Sequence, residues 1–246
     1  MSLGSKKFID IFNRISVRIN PWDVWKDFIT MFACSISNAL DKVNFNEREV
    51  VYMQIIHNRK YSKREIDIFP ELVAETVIAL EENPWQDFLG DIFMKLNLGN
   101  ETGGQFFTPY HVCELMAAIT ANDIATKVNK NGYIIINDPC CGAGATLIAA
   151  IYEAKKQMEK LNLNFQNYIL LTAQDIDHTA ALMCYIQLSM LGMAAYVKIG
   201  DSLTEPIFSG DTLENYWFTP MYFSDVWMVR RLLKKTDSLF EEKGMN

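Results

Sequence analysis

The chain has 246 residues, of which 50% are hydrophobic and 22% charged. That balance suits one large domain, or a domain with a small appendage, and excludes disordered and collagen-like classes. A formal net charge of −7 argues against a protein that coats itself in nucleic acid by bulk electrostatics.

The charge is uneven: residues 1–65 carry 11 basic against 7 acidic side chains, and the remainder 12 against 23. The basic end suits either a phosphate backbone or a solvated helical face. No apolar run reaches the roughly 18 residues of a membrane span, and the first residues lack a secretory pattern. Five scattered cysteines with no C-x-x-C pair fit a reducing, cytoplasmic setting, packing as small hydrophobes rather than binding metal.

Residues 8–98 read as helical. Pro21 opens a segment in which Trp22, Trp25, Phe28, Ile29 and Phe32 recur at three- and four-residue spacing. Asn46 is placed to cap a second helix, with Val50, Met53, Ile56 and His57 on one packed stripe. Pro70 precedes a third helix over 71–80, and after Pro84 a fourth runs to Leu96. A polar, glycine-bearing loop at 98–104 then changes the punctuation.

Beyond it, helices and strands alternate. Helical patterns cover 109–120, 145–158, 178–191 and 224–235; apolar runs at 132–137, 168–174 and 195–199 read as strands, the first buried on both faces. A further short strand is placed at 215–218. This alternation predicts an α/β fold with a doubly wound parallel sheet, attached to an N-terminal helical region over 1–98.

The sharpest motif is Asp138-Pro139-Cys140-Cys141-Gly142-Ala143-Gly144-Ala145-Thr146, between a strand and a helix. In such sheets ligands lie beyond the strands' carboxyl ends, and Gly142 and Gly144 permit a sharp turn and close backbone approach to a cofactor. The next two strands end in Asp175-Ile176-Asp177 and Gly200-Asp201-Ser202-Leu203. Singly, each acid is a helix cap or turn former. Together, at successive strand ends, they point to a ligand bearing a nucleoside.

The stretch 104–203 resembles the adenine-specific N6 DNA methyltransferases of the type I restriction-modification modification-subunit family. Gly104-Gln105-Phe106-Phe107-Thr108-Pro109 is similar to that family's G-Q-[FY]-[FY]-T-P. Asp138 through Gly144 is similar to D-P-x-C-G-[ST]-G, Ala173-Gln174-Asp175 to its second-strand motif, and Gly200-Asp201-Ser202-Leu203 to G-D-[ST]-L. The resemblance implies a Rossmann-like methyltransferase domain over 99–246 and S-adenosylmethionine as cofactor.

It further implies that Phe107, Thr108 and Pro109 border the methionine end. Asp138, Pro139, Cys140, Gly142, Gly144 and Thr146 would hold the amino acid part and turn the chain closely past it. Asp175 would take the ribose hydroxyls and Ile176 pack on adenine, while Asp201, Ser202 and Leu203 would meet the adenine amine and ring. A nicotinamide cofactor fits less well, because the turn is D-P-x-x-G-x-G rather than G-x-G-x-x-G.

The family's [NDS]-P-P-[YF] motif, which holds the target base, does not occur. The nearest segment is Thr219-Pro220-Met221-Tyr222: either a degenerate motif, in which Thr219 would offer an oxygen, Pro220 a carbonyl and Tyr222 a stacking ring, or an ordinary turn and aromatic core segment. Members of the family usually continue further, so the domain is expected to be incomplete. DNA is the implied partner, together with a separate recognition subunit, and the N-terminal helices are the expected docking surface for homo- or hetero-oligomers. Two other functions compete: a cofactor-binding, catalytically silent module that regulates or competes with a restriction-modification complex, and a methyltransferase acting on protein glutamine or RNA.

Overall fold

The structure, a computed structural model, describes residues 3–58, 60–100, 106–121, 123–208 and 211–233. Parts of the expected features lie outside these: most of the loop at 98–104, Gly104 and Gln105 of the first motif, and the end of the last helix.

Six α-helices make up the first part of the described residues. Helix α1 (Leu3–Ser16) buries Phe8 and Phe12 edge-on against Trp25, each at 6.1 Å between ring centroids. Trp25 belongs to α2 (Pro21–Asn38), which starts where Asn20 accepts the Trp22 N–H at 2.7 Å and Pro21 occupies the first turn. Phe28, Ile29 and Phe32 are buried with Trp25, as the spacing requires.

Helix α3 (Phe45–Ile56) departs from expectation. Asn44, not Asn46, precedes it and makes no side-chain cap. Most of its expected stripe faces solvent: Val50 is 56% exposed, and Met53 and His57 are also exposed, while Ile56 packs partly buried against the core. The buried residues are Ile55 and Arg48. Arg48 is bound on every side: to Asp41 at 2.7 Å, the Tyr216 carbonyl at 2.7 Å and the Ser37 hydroxyl, with its guanidinium over the Trp217 ring at 3.9 Å. A periodicity argument ranks arginine as surface, and only partners distant in sequence reverse that.

Short α4 (Lys63–Ile66) carries a capping box between Ser62 and Glu65. It leads to α5 (Phe69–Glu82) and to α6 (Phe88–Lys95), which is capped by Asp87 accepting the Gly90 N–H at 3.0 Å.

The second part alternates α7 (Tyr110–Thr120), α8 (Ile124–Asn131), β1 (Ile134–Asp138), α9 (Ala145–Glu159), β2 (Ile169–Asp175), α10 (His178–Met190), β3 (Ala194–Ile199) and β4 (Tyr216–Phe218), followed by a helix over 225–233. Helix α10 is apolar almost all round and buried accordingly, packing on α2 and β3. Parallel pairing sets Asp138 beside Ala173 and Asp175 beside Ile199, so β1, β2 and β3 finish at one end of the sheet.

The fold is mixed α/β, with two qualifications to the expected sheet. The described strands follow in the order β1-β2-β3-β4, so the reversal that defines a doubly wound sheet is absent among the described residues. Strand β1 is therefore an edge, and Ile135 is 48% exposed rather than covered on both faces. Strand β4 runs antiparallel to β3, with Tyr196 opposite Phe218.

Candidate functional site

The glycine turn at the end of β1 is held by hydrogen bonds to two carboxylates. Asp138 accepts the Cys140 N–H at 3.1 Å through Oδ1 and the Thr146 hydroxyl through Oδ2. Asp175, at the end of β2, accepts the Gly142 N–H at 2.7 Å and the Asp177 N–H at 2.9 Å. Both glycines sit at positive φ, +53° for Gly142 and +98° for Gly144, a region that side chains disfavour. A Cβ at Gly142 would stand 3.1 Å from the Phe107 ring, and one at Gly144 3.0 Å from the Cys184 sulfur. The tight approach these glycines permit is thus to the protein's own side chains.

Around this turn lies a crevice of about 300 Å³, lined by Phe106, Phe107, Thr108, Asp138, Cys140, Gly142, Thr146 and Asp175, with Cys141, Ala143 and Ala145 in its floor and Asp87 in its wall. Among the described residues three carboxylates and no cation line it, so its field favours a positively charged ligand. Burial pushes the Asp175 carboxyl above its ordinary pKa, against the Asp177 and Gly142 N–H groups, which oppose the shift. A larger groove of about 640 Å³ flanks β1 with Lys127, Gly132, Tyr133 and Arg230. It gathers no carboxylate among the described residues, and we regard the smaller crevice as the site.

The remaining sequence-predicted residues border the crevice or stand apart from its lining. Pro109 opens α7 directly after Thr108. The Cys140 sulfur approaches the Ser202 hydroxyl at 3.8 Å, and the Gly200 N–H bonds to the Asp175 carbonyl at 3.0 Å, which ties the β3 end to the turn. Asp201 accepts the Leu203 N–H at 2.9 Å. Ile176 and Leu203 are apolar and bare, at 71% and 89% exposure. Among the described residues no group of three His, Cys, Asp or Glu is arranged to hold a metal ion.

Thr219, Pro220 and Tyr222 stand apart from the crevice lining, in a turn and aromatic segment at the sheet. Antiparallel β4 carries Thr219 back to Ala195, at the amino end of β3 and the opposite end from Asp201. Thr219 is fully buried; its hydroxyl donates to the Met193 carbonyl at 2.6 Å and accepts the Ala195 N–H at 2.8 Å. Pro220 opens a single 3-10 turn (Pro220–Phe223). The Tyr222 ring packs on Phe218 at 4.8 Å and under the Arg231 guanidinium at 3.9 Å. These residues complete the sheet edge and contribute nothing to the crevice.

Sequence reasoning missed Asp87 and Gln187. Asp87 read only as a residue after Pro84, yet it caps α6 and reaches the crevice wall. Gln187, fully buried in α10, donates to the Asp87 carboxylate and to the Ala143 carbonyl, each at 2.8 Å, and accepts the Leu89 N–H at 3.1 Å. One signal was available: a glutamine in the middle of an otherwise apolar helix must have buried polar partners.

A mostly parallel α/β sheet with a glycine turn after its first strand, and acids at its next strand ends, is the arrangement in which α/β proteins receive ligands at the carboxyl edge of the sheet. The family described as N-6 DNA Methylase matches residues 86–246, most of the chain and all of the crevice, and the protein belongs to that family.

Proposed function

We propose that the chain binds S-adenosylmethionine in the crevice and serves as a methyltransferase for the exocyclic N6 amine of adenine in DNA, as a cytoplasmic component of a restriction-modification system. The observation that carries this reading is the bond from the Gly142 N–H to Asp175, within an acid-lined, cation-free crevice. The residues fit the group. Asp175 retains unshared electron pairs on both oxygens to accept ribose hydroxyls, the carboxylates suit a sulfonium and an ammonium, and bare Ile176 and Leu203 offer apolar surface for a purine.

When bound, the cofactor supplies an electrophilic methyl group. The protein's part is to align it: Asp175 fixes the turn, Asp138 and Thr146 hold the loop closed on itself, and Phe107 walls the methionine side. The family-level substrate is DNA, and sequence recognition is assigned to a separate partner that docks on the N-terminal helices.

A second reading has its own support. With Thr219 turned inward, no described residue of the crevice takes the base-holding role, which favours a cofactor-binding module without turnover of its own. Calorimetric titration with S-adenosylmethionine tests the common part. Saturable one-to-one binding supports it, and a folded sample that binds neither this ligand nor S-adenosylhomocysteine overturns it. Methyl transfer to adenine in DNA, measured with and without added recognition subunit, separates the two readings.

A further inference from the structure

Asp87 is a carboxylate with only 7% of its surface exposed, at the crevice wall. Its Oδ1 accepts both protein hydrogen bonds, from the Gly90 N–H at 3.0 Å and from Gln187 at 2.8 Å. Its Oδ2 has no hydrogen-bond partner, and the carboxylate no ion-pair partner, among the described residues. A buried anion without a countercharge is costly, and the crevice lining offers no lysine or arginine to relieve it. Because Gln187 also grips the Ala143 carbonyl, the carboxylate is anchored to the same lattice as the glycine turn.

The start of α7 supplies the complementary charge. This helix of eleven residues begins after Pro109 with no side-chain cap, and the Tyr110 and His111 N–H groups are without partners among the described residues. Such a terminus attracts anions. Thr108 lines the crevice with Asp87 and is followed directly by Pro109 and the first turn of α7, so an acid and a helix amino end adjoin one crevice. That pairing matches an α-amino acid zwitterion.

Building on the cofactor reading above, we propose that Asp87 binds the α-ammonium group of the cofactor's methionine end, with the first turn of α7 receiving its carboxylate. Asp87 is then a cofactor-binding residue, and the helical region contributes directly to the crevice.

The test is a cycle of ligand and protein variants, read by calorimetry on the full chain. Asp87→Asn keeps an oxygen for Gly90 and Gln187 and removes the charge. The probes are S-adenosylhomocysteine, its analogue lacking the amino group, and 5′-methylthioadenosine, which lacks the whole amino acid end. Loss of a charge-assisted hydrogen bond predicts that Asp87→Asn weakens S-adenosylhomocysteine by about tenfold or more. Methylthioadenosine should be held equally by both proteins, and removing the ligand's amino group should cost affinity only in the wild type.

Equal weakening of all three ligands would assign Asp87 a purely structural role, and unchanged affinity would remove it from the site; either overturns the proposal. If the variant unfolds, the wild type alone decides, because equal affinity for the amino and deaminated ligands refutes an ammonium contact. Failure of the wild type to bind any probe would instead bring down the cofactor reading itself, and this proposal with it.

Discussion

Replacing Thr219 with valine separates a base-holding residue from a sheet-edge residue. Valine has nearly the shape of threonine and suits a strand end, so the change isolates the hydroxyl. That hydroxyl donates to the Met193 carbonyl and accepts the Ala195 N–H in a fully buried position. Losing it strands a buried donor and a buried acceptor, at a cost of about 2–3 kcal/mol. For a chain of this size each kcal/mol lowers the melting temperature by about 2–4 °C, so a drop of about 4–12 °C is expected. Thr219 lies at the far end of β3 from the crevice, so affinity for S-adenosylmethionine should stay within about twofold of wild type, well under 1 kcal/mol. Thermal unfolding and calorimetric titration of the same sample give both numbers. A variant that melts within about 1 °C of wild type yet loses methyl transfer would refute this and return Thr219 to the reaction.

Asp175→Ala should weaken S-adenosylmethionine by about 1–3 kcal/mol, the value of a hydrogen bond to a charged acceptor; titration measures it, and unchanged affinity would exclude the ribose role. Arg48→Met removes one member of a buried pair and leaves Asp41 unpaired, so denaturant unfolding should show a loss of about 3–5 kcal/mol. Gly142→Ala must adopt φ +53° and press on Phe107; it should cost about 1–2 kcal/mol of stability from the backbone alone, and cofactor affinity should fall because the crevice wall moves.

The pH dependence of Asp87 has a definite sign. Burial raises its carboxyl pKa in the folded chain, so the folded state binds the proton more tightly than the unfolded one. Stability therefore rises as pH falls from neutral, through the raised folded value, towards the unfolded value of about 4. Asp87→Asn has no such proton, so its melting temperature relative to wild type should be highest near neutrality and decline as pH falls. An offset that does not change with pH would contradict the shift.

Local patterning was legible where one element decides the outcome. The Trp25, Phe28, Ile29 and Phe32 spacing marks the buried side of α2, and the apolar runs locate three parallel strands within a residue or two of β1, β2 and β3. The same logic failed on α3, because the energy of burying Arg48 resides in Asp41, Ser37, Tyr216 and Trp217 rather than in its own helix. At Thr219-Pro220-Met221-Tyr222 it left a base-holding motif and an ordinary turn and aromatic segment both open. A short motif has no intrinsic strand direction, and antiparallel pairing with β3 carried it away from the site.

The sequence by itself determined that acids and a glycine turn follow successive strands. Strand, turn and helix signals are local, and parallel connection then brings strand ends to one edge of the sheet. Only the tertiary structure decided what those residues touch: that Gly142 and Gly144 make room for Phe107 and Cys184, that Asp138 is occupied with its own turn, and that Asp87 enters the crevice from the helical region. Such contacts join side chains far apart in the chain, a hundred residues in the case of Gln187 and Asp87. Their energies depend on burial and partner geometry, which exist only once the chain has closed on itself.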